Sequence, residues 1–153
     1  MKIAFTGHSS ISSSDRIKEL VKNEIKINIE GESSITCYLG GYGDFDELCA
    51  CACRELKKDF NAIELVYVTP YISLSEQAKI QALLKSNLYD SSIYPPIEGV
   101  PPRFAISKRN EWMMLDADLI IAFVTHSYGG AYTSLQFARR KGKRTINIYD
   151  LLK

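Results

Sequence analysis

Three glycine-bearing segments, each directly after a predicted strand, contain the residues of this sequence that could bind an anion. They read T-G-H-S at residues 6–9, G-G-Y-G-D at residues 40–44 and T-H-S-Y-G-G-A-Y-T at residues 125–133. Glycine lacks the Cβ that keeps an anion away from the backbone, and the first N–H groups of a following helix have no partner within that helix. The pattern predicts a site for a phosphate or carboxylate group.

Alternating strands and helices must position these segments. Apolar runs predict strands at residues 2–6, 34–38, 63–68, 119–124 and 145–149, with a brief extended piece at 91–94. Helical periodicity predicts a first helix capped by Asp15 and further helices at residues 44–60, 75–86, 103–115 and 131–141. The alternation predicts an α/β fold, a Rossmann-like three-layer sandwich with a mostly parallel central sheet, in a single domain over residues 1–153. Ligands of such sheets bind beyond the carboxyl ends of the strands, where we expect the three segments to meet.

The net charge and the distribution of apolar residues indicate which classes of partner are expected. Nineteen Lys and Arg against eighteen Asp and Glu leave a formal charge of +1, which provides no global field to attract nucleic acid or an anionic membrane. No apolar stretch approaches the roughly 20 residues of a membrane span, and no signal-peptide pattern follows Met1, so a cytoplasmic protein is predicted. The sequence argues against nucleic acid and membranes as partners and leaves a homo-oligomer open.

Cofactor and metal motifs are missing from the sequence. It contains no P-loop, no His-x-x-x-His or Cys-x-x-Cys pair, and no complete GxGxxG pattern. Side chains two residues apart on a helix point to different faces, so Cys49, Cys51 and Cys53 could not all ligate one zinc ion. We therefore predict no cofactor and no metal.

Several single residues have two interpretations. His8 has an ordinary pKa near neutrality and could exchange protons, although no partner for it can be identified. Arg109 could grip a phosphate with two N–H groups, or it could lie on a solvated helix face. Thr125 could cap the last long helix or donate to a ligand. The basic run at residues 139–144 could bind nucleic acid, but cations before a helix-ending glycine also favour the helix dipole.

Four motifs together resemble the SLOG superfamily, which joins the DNA-processing protein A (SMF) domains and the LOG phosphoribohydrolases. They are F-T-G-H, G-G-Y-G-D-F-D-E-L, K-R-N and T-H-S-Y-G-G-A-Y-T-S-L, and the chain is most similar to the YpsA-like branch. The resemblance covers essentially the whole chain. It implies a Rossmann-like sheet that binds nucleotides or nucleotide-derived ligands. It also implies a phosphate-facing element at Arg109 and Asn110 and a glycine-rich binding turn at Gly129, Gly130 and Thr133.

The sequence departs from the LOG pattern at the residues that support catalysis. LOG enzymes carry PGGxGTxxE after the strand that follows their Arg-Lys pair. Here Tyr132 replaces the third glycine of that pattern and Gln136 replaces its glutamate. An amide cannot serve as the carboxylate that N-glycosidic cleavage requires, which argues against LOG-type catalysis at this turn.

Three functional hypotheses follow. The first is a domain that binds or senses a nucleotide-like, phosphorylated small molecule. The second is a nucleoside monophosphate phosphoribohydrolase with Glu47 or Asp44 as its carboxylate. The third is single-stranded DNA binding through residues 139–144, which the near-zero charge and the lack of an exposed aromatic series argue against. The predicted ligand-binding residues are Gly7, His8, Ser9, Gly40, Gly41, Gly43, Asp44, Arg109, Asn110, Thr125, Gly129, Gly130 and Thr133.

Overall fold

Six parallel strands form one sheet in the computed structural model of the chain, which describes residues 1–12 and 14–152. The strand order is β4-β3-β2-β1-β5-β6, and every neighbouring pair is parallel. The predicted fold class is confirmed. The strands are β1 (Lys2–Gly7), β2 (Ile35–Leu39), β3 (Ile63–Val68), β4 (Ser91–Ile93), β5 (Leu119–Phe123) and β6 (Arg144–Asn147).

Helices cover both faces of the sheet. On one face, side chains of α1, α2 and α6 pack with the sheet in the larger apolar core, and on the other face α4 and α5 pack in a smaller one. No helix in residues 1–12 and 14–152 combines the length and apolar content that crossing a bilayer requires. The helices are α1 (Asp15–Asn28), α2 (Asp44–Lys57), α3 (Leu74–Lys85), α4 (Ala105–Asp116), α5 (Gly130–Arg140) and α6 (Ile148–Leu151), with a 3-10 turn at Pro102–Phe104.

The order of the strands reverses at β1. From β1 the chain proceeds through β2, β3 and β4 on one side and then crosses to β5 and β6 on the other. Phe5 of β1 lies beside Ile121 of β5, and Gly7 lies beside Phe123. The chain continues from β1 to α1 on one face of the sheet and from β5 to α5 on the other, so a crevice opens between the two carboxyl ends.

The start of α1 and the end of β6 differ from their predictions for reasons that hydrogen bonds show. The cap of α1 is Ser14 rather than Asp15, because the Ser14 hydroxyl accepts the N–H of Ile17 at 3.1 Å. The last strand ends at Asn147, two residues before the predicted end. Its side chain accepts the N–H of Val124 and donates to the carbonyl of Val124, both at 3.0 Å, and it also caps α6. A side chain that pairs with the neighbouring strand thus ends β6.

Candidate functional site

A cavity of about 430 Å³ opens at the crevice between β1 and β5. It is lined from all three glycine-bearing segments and from α4, as the sequence predicted for the carboxyl edge of the sheet. We call it the switch-point cavity. The predicted ligand-binding residues that line it are Gly7, His8, Ser9, Gly40, Arg109, Asn110, Gly129 and Gly130.

The other predicted residues do not line this cavity. Asp44 and Glu47 line a separate cavity of about 370 Å³ between α1 and α2, beside Lys18. The proposed role of these two carboxylates in N-glycosidic cleavage stays a prediction, and neither residue lines the switch-point cavity. Thr125 lines a third cavity, and the Thr133 hydroxyl donates to the carbonyl of Gly129 at 3.0 Å.

The amino end of α2 is occupied by the protein itself. The N–H of Asp44 donates to the carbonyl of Ser9 at 2.9 Å, and a Cβ on Gly43 would lie 2.7 Å from the Ser9 Cα. Three carboxylates, those of Asp44, Asp46 and Glu47, already lie in the first turn. A Cβ on Gly41 would lie 2.1 Å from the ring of Tyr67. Gly41 and Gly43 therefore permit close packing at a positive φ, and the carboxylates make this helix end unfavourable for an anion.

The amino end of α5 has the opposite character. Its cap is Gly129, with φ 93° and ψ 171°, no side chain caps the first N–H groups, and the first turn contains no acidic residue. A Cβ on Gly129 or Gly130 would have no atom within 4 Å. Both glycines line the switch-point cavity. This helix end, rather than that of α2, offers open N–H groups and an uncompensated positive dipole to an anion.

Arg109 lies in the interior, 5% exposed, rather than on a solvated helix face. Its Nη1 donates to the carbonyls of Val68 at 2.7 Å and Gly40 at 3.2 Å, and its Nε donates to the Asn110 side chain at 2.9 Å. A Cβ on Gly40 would lie 3.0 Å from the guanidinium, so the missing side chain gives Arg109 its space. Arg109 thus joins the ends of β2 and β3 and places a positive charge at the wall of the cavity.

Asp46 lines the same cavity and was not among the predicted site residues. Burial raises the pKa of this carboxyl to about 6, while the N–H of Tyr42, at 3.3 Å, and the nearby charge of Arg109 oppose the increase. The sequence does contain a signal for it. Asp46 precedes Cys49, Ala50 and Cys53 at helical spacing, so it extends a buried stripe.

We expect Asp46→Asn to alter the pH dependence of stability. Because the pKa is about 6 in the folded protein against an ordinary 3.8, the folded state binds the proton first, and the contribution of Asp46 to the free energy of unfolding increases as pH falls between these values. At pH 7 the variant should be more stable by about 1–2 kcal/mol, allowing for partial exposure and the lost helix-dipole interaction. Urea unfolding between about pH 4 and 7.5 measures both effects.

The control for this prediction is Asp59→Asn, because Asp59 is exposed just beyond the other end of α2. It should change the free energy of unfolding at pH 7 by no more than about 0.5 kcal/mol. The prediction is contradicted if the Asp46→Asn protein and the unaltered protein have the same free energy of unfolding at pH 7 and the same dependence of it on pH. The lowered pKa of His8 makes stability increase as pH rises, which is opposite to the effect of Asp46. This contribution does not affect the comparison, because all three proteins contain His8.

Three rings stack at the mouth of the cavity. The His8 and His126 rings are parallel, with centroids 3.8 Å apart and an angle of 3° between the planes. Tyr128 stacks on His126 with centroids 3.9 Å apart. His8 Nε2 accepts the N–H of Thr125 at 2.9 Å, so the neutral ring carries its proton on Nδ1. Burial and the adjacent His126 lower the pKa of His8, which favours this neutral form. We call these three residues the ring column.

Sequence reasoning missed the aromatic residues at this site. Tyr42 and Tyr128 both line the cavity and are 78% and 69% exposed. The sequence predicted no exposed aromatic series, whereas the structure places two exposed tyrosine rings at this edge of the sheet. The signal was available, since each tyrosine directly precedes the glycine that caps a helix.

Comparison with known proteins gives structural neighbours. No protein-family model matches the chain, and no curated protein matches its sequence. DNA processing protein A from Streptococcus pneumoniae has a TM-score of 0.61 at 17% identity, over 94% of this chain and 48% of that protein. The same protein from Helicobacter pylori, described for its single-stranded DNA binding mode, has a TM-score of 0.58 at 15% identity, over 95% and 63%. The Moco carrier protein from Chlamydomonas rheinhardtii has a TM-score of 0.51 at 12% identity, over 97% and 75%.

The chain shares the fold of these proteins. It spans about half the length of the S. pneumoniae protein and 63% of the H. pylori protein. The shared fold agrees with the Rossmann-like sheet that the resemblance implies, and membership of the SLOG superfamily and of its YpsA-like branch stays a prediction. The prediction against nucleic acid as a partner is wrong, because a protein of this fold has a described mode of single-stranded DNA binding. The prediction relied on the net charge of the whole chain, and a total of +1 says nothing about local clusters of charge. Arg139, Arg140 and Arg144 of the basic run at residues 139–144 are exposed.

Proposed function

We propose that this chain binds a nucleotide-type, phosphorylated small molecule in the switch-point cavity. The observation that carries the proposal is the amino end of α5, which has no side-chain cap and no acidic residue and opens into that cavity. A phosphate there would accept hydrogen bonds from main-chain N–H groups and would benefit from the helix dipole. The cavity, about 430 Å³, falls within the ordinary range for small-molecule sites.

The charged side chains of the cavity have different roles in this proposal. Arg109 provides a positive field, although its Nε and Nη1 donors already bind protein groups. Asp46 would repel a phosphate placed beside it. Its carboxylate suits a ligand group that donates hydrogen bonds, such as a hydroxyl or an amine. A ligand that places an anionic group at α5 and a neutral polar group near Asp46 must contain both kinds of group. A nucleotide contains both, and a bare phosphate does not.

An acidic residue in the first turn of α5 provides the sharpest test. Gly130→Asp adds a side chain where no atom lies within 4 Å, and a carboxylate at a helix amino end stabilises the helix. We expect this variant to remain folded and to lose at least about tenfold in affinity for AMP or ADP-ribose, which corresponds to about 1.4 kcal/mol. The Gly130→Ala variant, which adds the same Cβ without a charge, is the control and should bind more tightly than Gly130→Asp.

Calorimetry measures these affinities directly, and thermal unfolding provides a second measurement. A ligand at one hundred times its dissociation constant should stabilise the protein by about 2.7 kcal/mol. The proposal fails if no nucleotide or ADP-ribose binds to the unaltered protein, or if Gly130→Asp binds them as tightly as Gly130→Ala does.

Single-stranded DNA binding is the second candidate. The H. pylori protein of the same fold supports it, as do the exposed Tyr42 and Tyr128 at the cavity mouth, because bases stack on such rings. The basic run at residues 139–144 begins in the last turn of α5, at the opposite edge of the sheet. DNA held by both features would have to run along the whole helix, about 16 Å at 1.5 Å per residue.

Fluorescence anisotropy with a labelled oligothymidylate separates the two candidates. If DNA binds through the basic run, Arg139→Glu with Arg140→Glu should abolish oligonucleotide binding and leave AMP binding intact. If DNA enters the cavity, Gly130→Asp should weaken both. No binding of the oligonucleotide at low salt would contradict this candidate, since phosphate contacts are strongest there.

A further inference from the structure

We propose that the outer face of Tyr128 is the surface on which the ligand's base stacks, so that the ligand carries a planar heteroaromatic ring and not a sugar phosphate alone. This inference rests on the proposed function and specifies which class of phosphorylated molecule the switch-point cavity takes. It assigns the base to the ring column and the phosphate to the amino end of α5.

The geometry of the ring column leaves one ring face free for a fourth ring. His8 and Tyr128 each stack on His126 with centroids 3.8 and 3.9 Å away. Two rings at that distance cannot occupy the same face of one imidazole, so His126 lies between the other two. One face of Tyr128 is therefore covered by His126. Because the residue is still 69% exposed, its exposed area lies on the outer face and the edge.

The column is held in place before any ligand arrives. The N–H of Thr125 donates to His8 Nε2 at 2.9 Å, which joins the loop after β1 to the loop after β5. The Thr125 hydroxyl lies 3.1 Å from Nδ1 of His126. A platform whose lower rings are already fixed has little conformational freedom to lose on binding. An isolated exposed tyrosine on a loop would have no such support.

Tyr128 is also close to the proposed phosphate site along the chain. It directly precedes Gly129, the cap of α5, and the helix begins at Gly130. Two residues of chain span at most about 7 Å, so one mononucleotide can contact both the ring and the first helical N–H groups. Tyr128, Gly129 and Gly130 line the same cavity. A base on Tyr128 therefore places its own phosphate towards the helix end.

The test compares ligands with and without a base. Calorimetry with AMP, GMP, CMP and UMP is set against ribose 5-phosphate, which has the same sugar and phosphate. We expect each mononucleotide to bind the unaltered protein more tightly than ribose 5-phosphate, because stacking tolerates every base. Tyr128→Ala should weaken mononucleotide binding by about 5- to 150-fold and leave ribose 5-phosphate unchanged. Tyr128→Phe keeps the ring and should bind mononucleotides as the unaltered protein does.

Phe60→Ala is the matched control, because Phe60 is an exposed aromatic residue, 41% accessible, just past the far end of α2. It should leave every affinity unchanged. The inference is overturned if ribose 5-phosphate binds as tightly as the mononucleotides, or if Tyr128→Ala weakens both kinds of ligand equally; the proposed function then still stands. If Tyr42→Ala removes the preference for the base and Tyr128→Ala does not, the inference is also overturned. If neither kind of ligand binds, the proposed function fails together with it.

Discussion

Alanine at Gly7 is expected to destabilise the protein by about 3 kcal/mol or more, the upper part of the range for an overpacked core. A Cβ at this position would lie 2.3 Å from Cδ2, 2.4 Å from Cγ and 2.6 Å from Cβ of Phe45. Phe45 is fully buried and its ring stacks near that of Phe123, so it has no free space to move into. Urea unfolding of the two proteins measures the difference in the free energy of unfolding.

Gly99→Ala is the control for this first prediction. A Cβ on Gly99 would have no atom within 4 Å, so its effect should stay within about 0.5 kcal/mol. A similarly small effect of Gly7→Ala would show that α2 can move away from β1 and would contradict the packing described above. If the prediction holds, Gly7 is required chiefly for the approach of α2 to the sheet, although it also lines the cavity.

Arg109→Met is expected to destabilise the protein by about 2–4 kcal/mol and to weaken the AMP binding that we propose. The substitution leaves the carbonyls of Val68 and Gly40 without their donor, and each such group costs about 1–3 kcal/mol when it remains buried. It also removes the charge that opposes the increase in the pKa of Asp46, so that pKa should rise further above about 6. Urea unfolding at neutral pH and calorimetry with AMP measure the two losses.

A second substitution on the same helix serves as the control for Arg109→Met. Lys108 is about half exposed and forms an ion pair with Glu111 at 3.1 Å, so Lys108→Met should cost at most about 1 kcal/mol. The double variant Arg109→Met with Asp46→Asn should be more stable than the sum of the single effects, by about 0.5–3 kcal/mol, because the neutral amide no longer needs the cation. Strict additivity would mean that Arg109 and Asp46 do not interact.

The element types of this fold could be predicted from the sequence because burial leaves a local pattern. All five residues of β5 are buried, and the same run is the most apolar stretch of the chain, as a central parallel strand with both faces covered requires. The apolar residues of α1 and α2 recur at helical spacing, and α2 begins at the predicted residue, Asp44. The end of β6 could not be predicted, because it depends on hydrogen bonds between Asn147 and Val124, 23 residues earlier in the chain.

The meeting of the glycine-bearing segments at one edge of the sheet also follows from the sequence. Parallel strands bring all their carboxyl ends to the same edge, so alternation alone places residues 6–9, 40–44 and 125–133 there. The cavity that these segments line together with Arg109 agrees with that expectation. The basic run at residues 139–144 begins in the last turn of α5 and therefore lies at the opposite edge of the sheet, for the same geometric reason.

Only the tertiary structure decided what each of these residues does. The glycines before α2 and α5 have the same local signature, and what separates them is spatial. Ser9 and three carboxylates occupy the amino end of α2, whereas that of α5 is open. The ring column depends on His8 and His126, which lie 118 positions apart in the sequence and 3.8 Å apart in space. Whether a helix end is blocked, a ring is stacked or a carboxylate is buried depends on contacts between distant segments, which local sequence patterns do not encode.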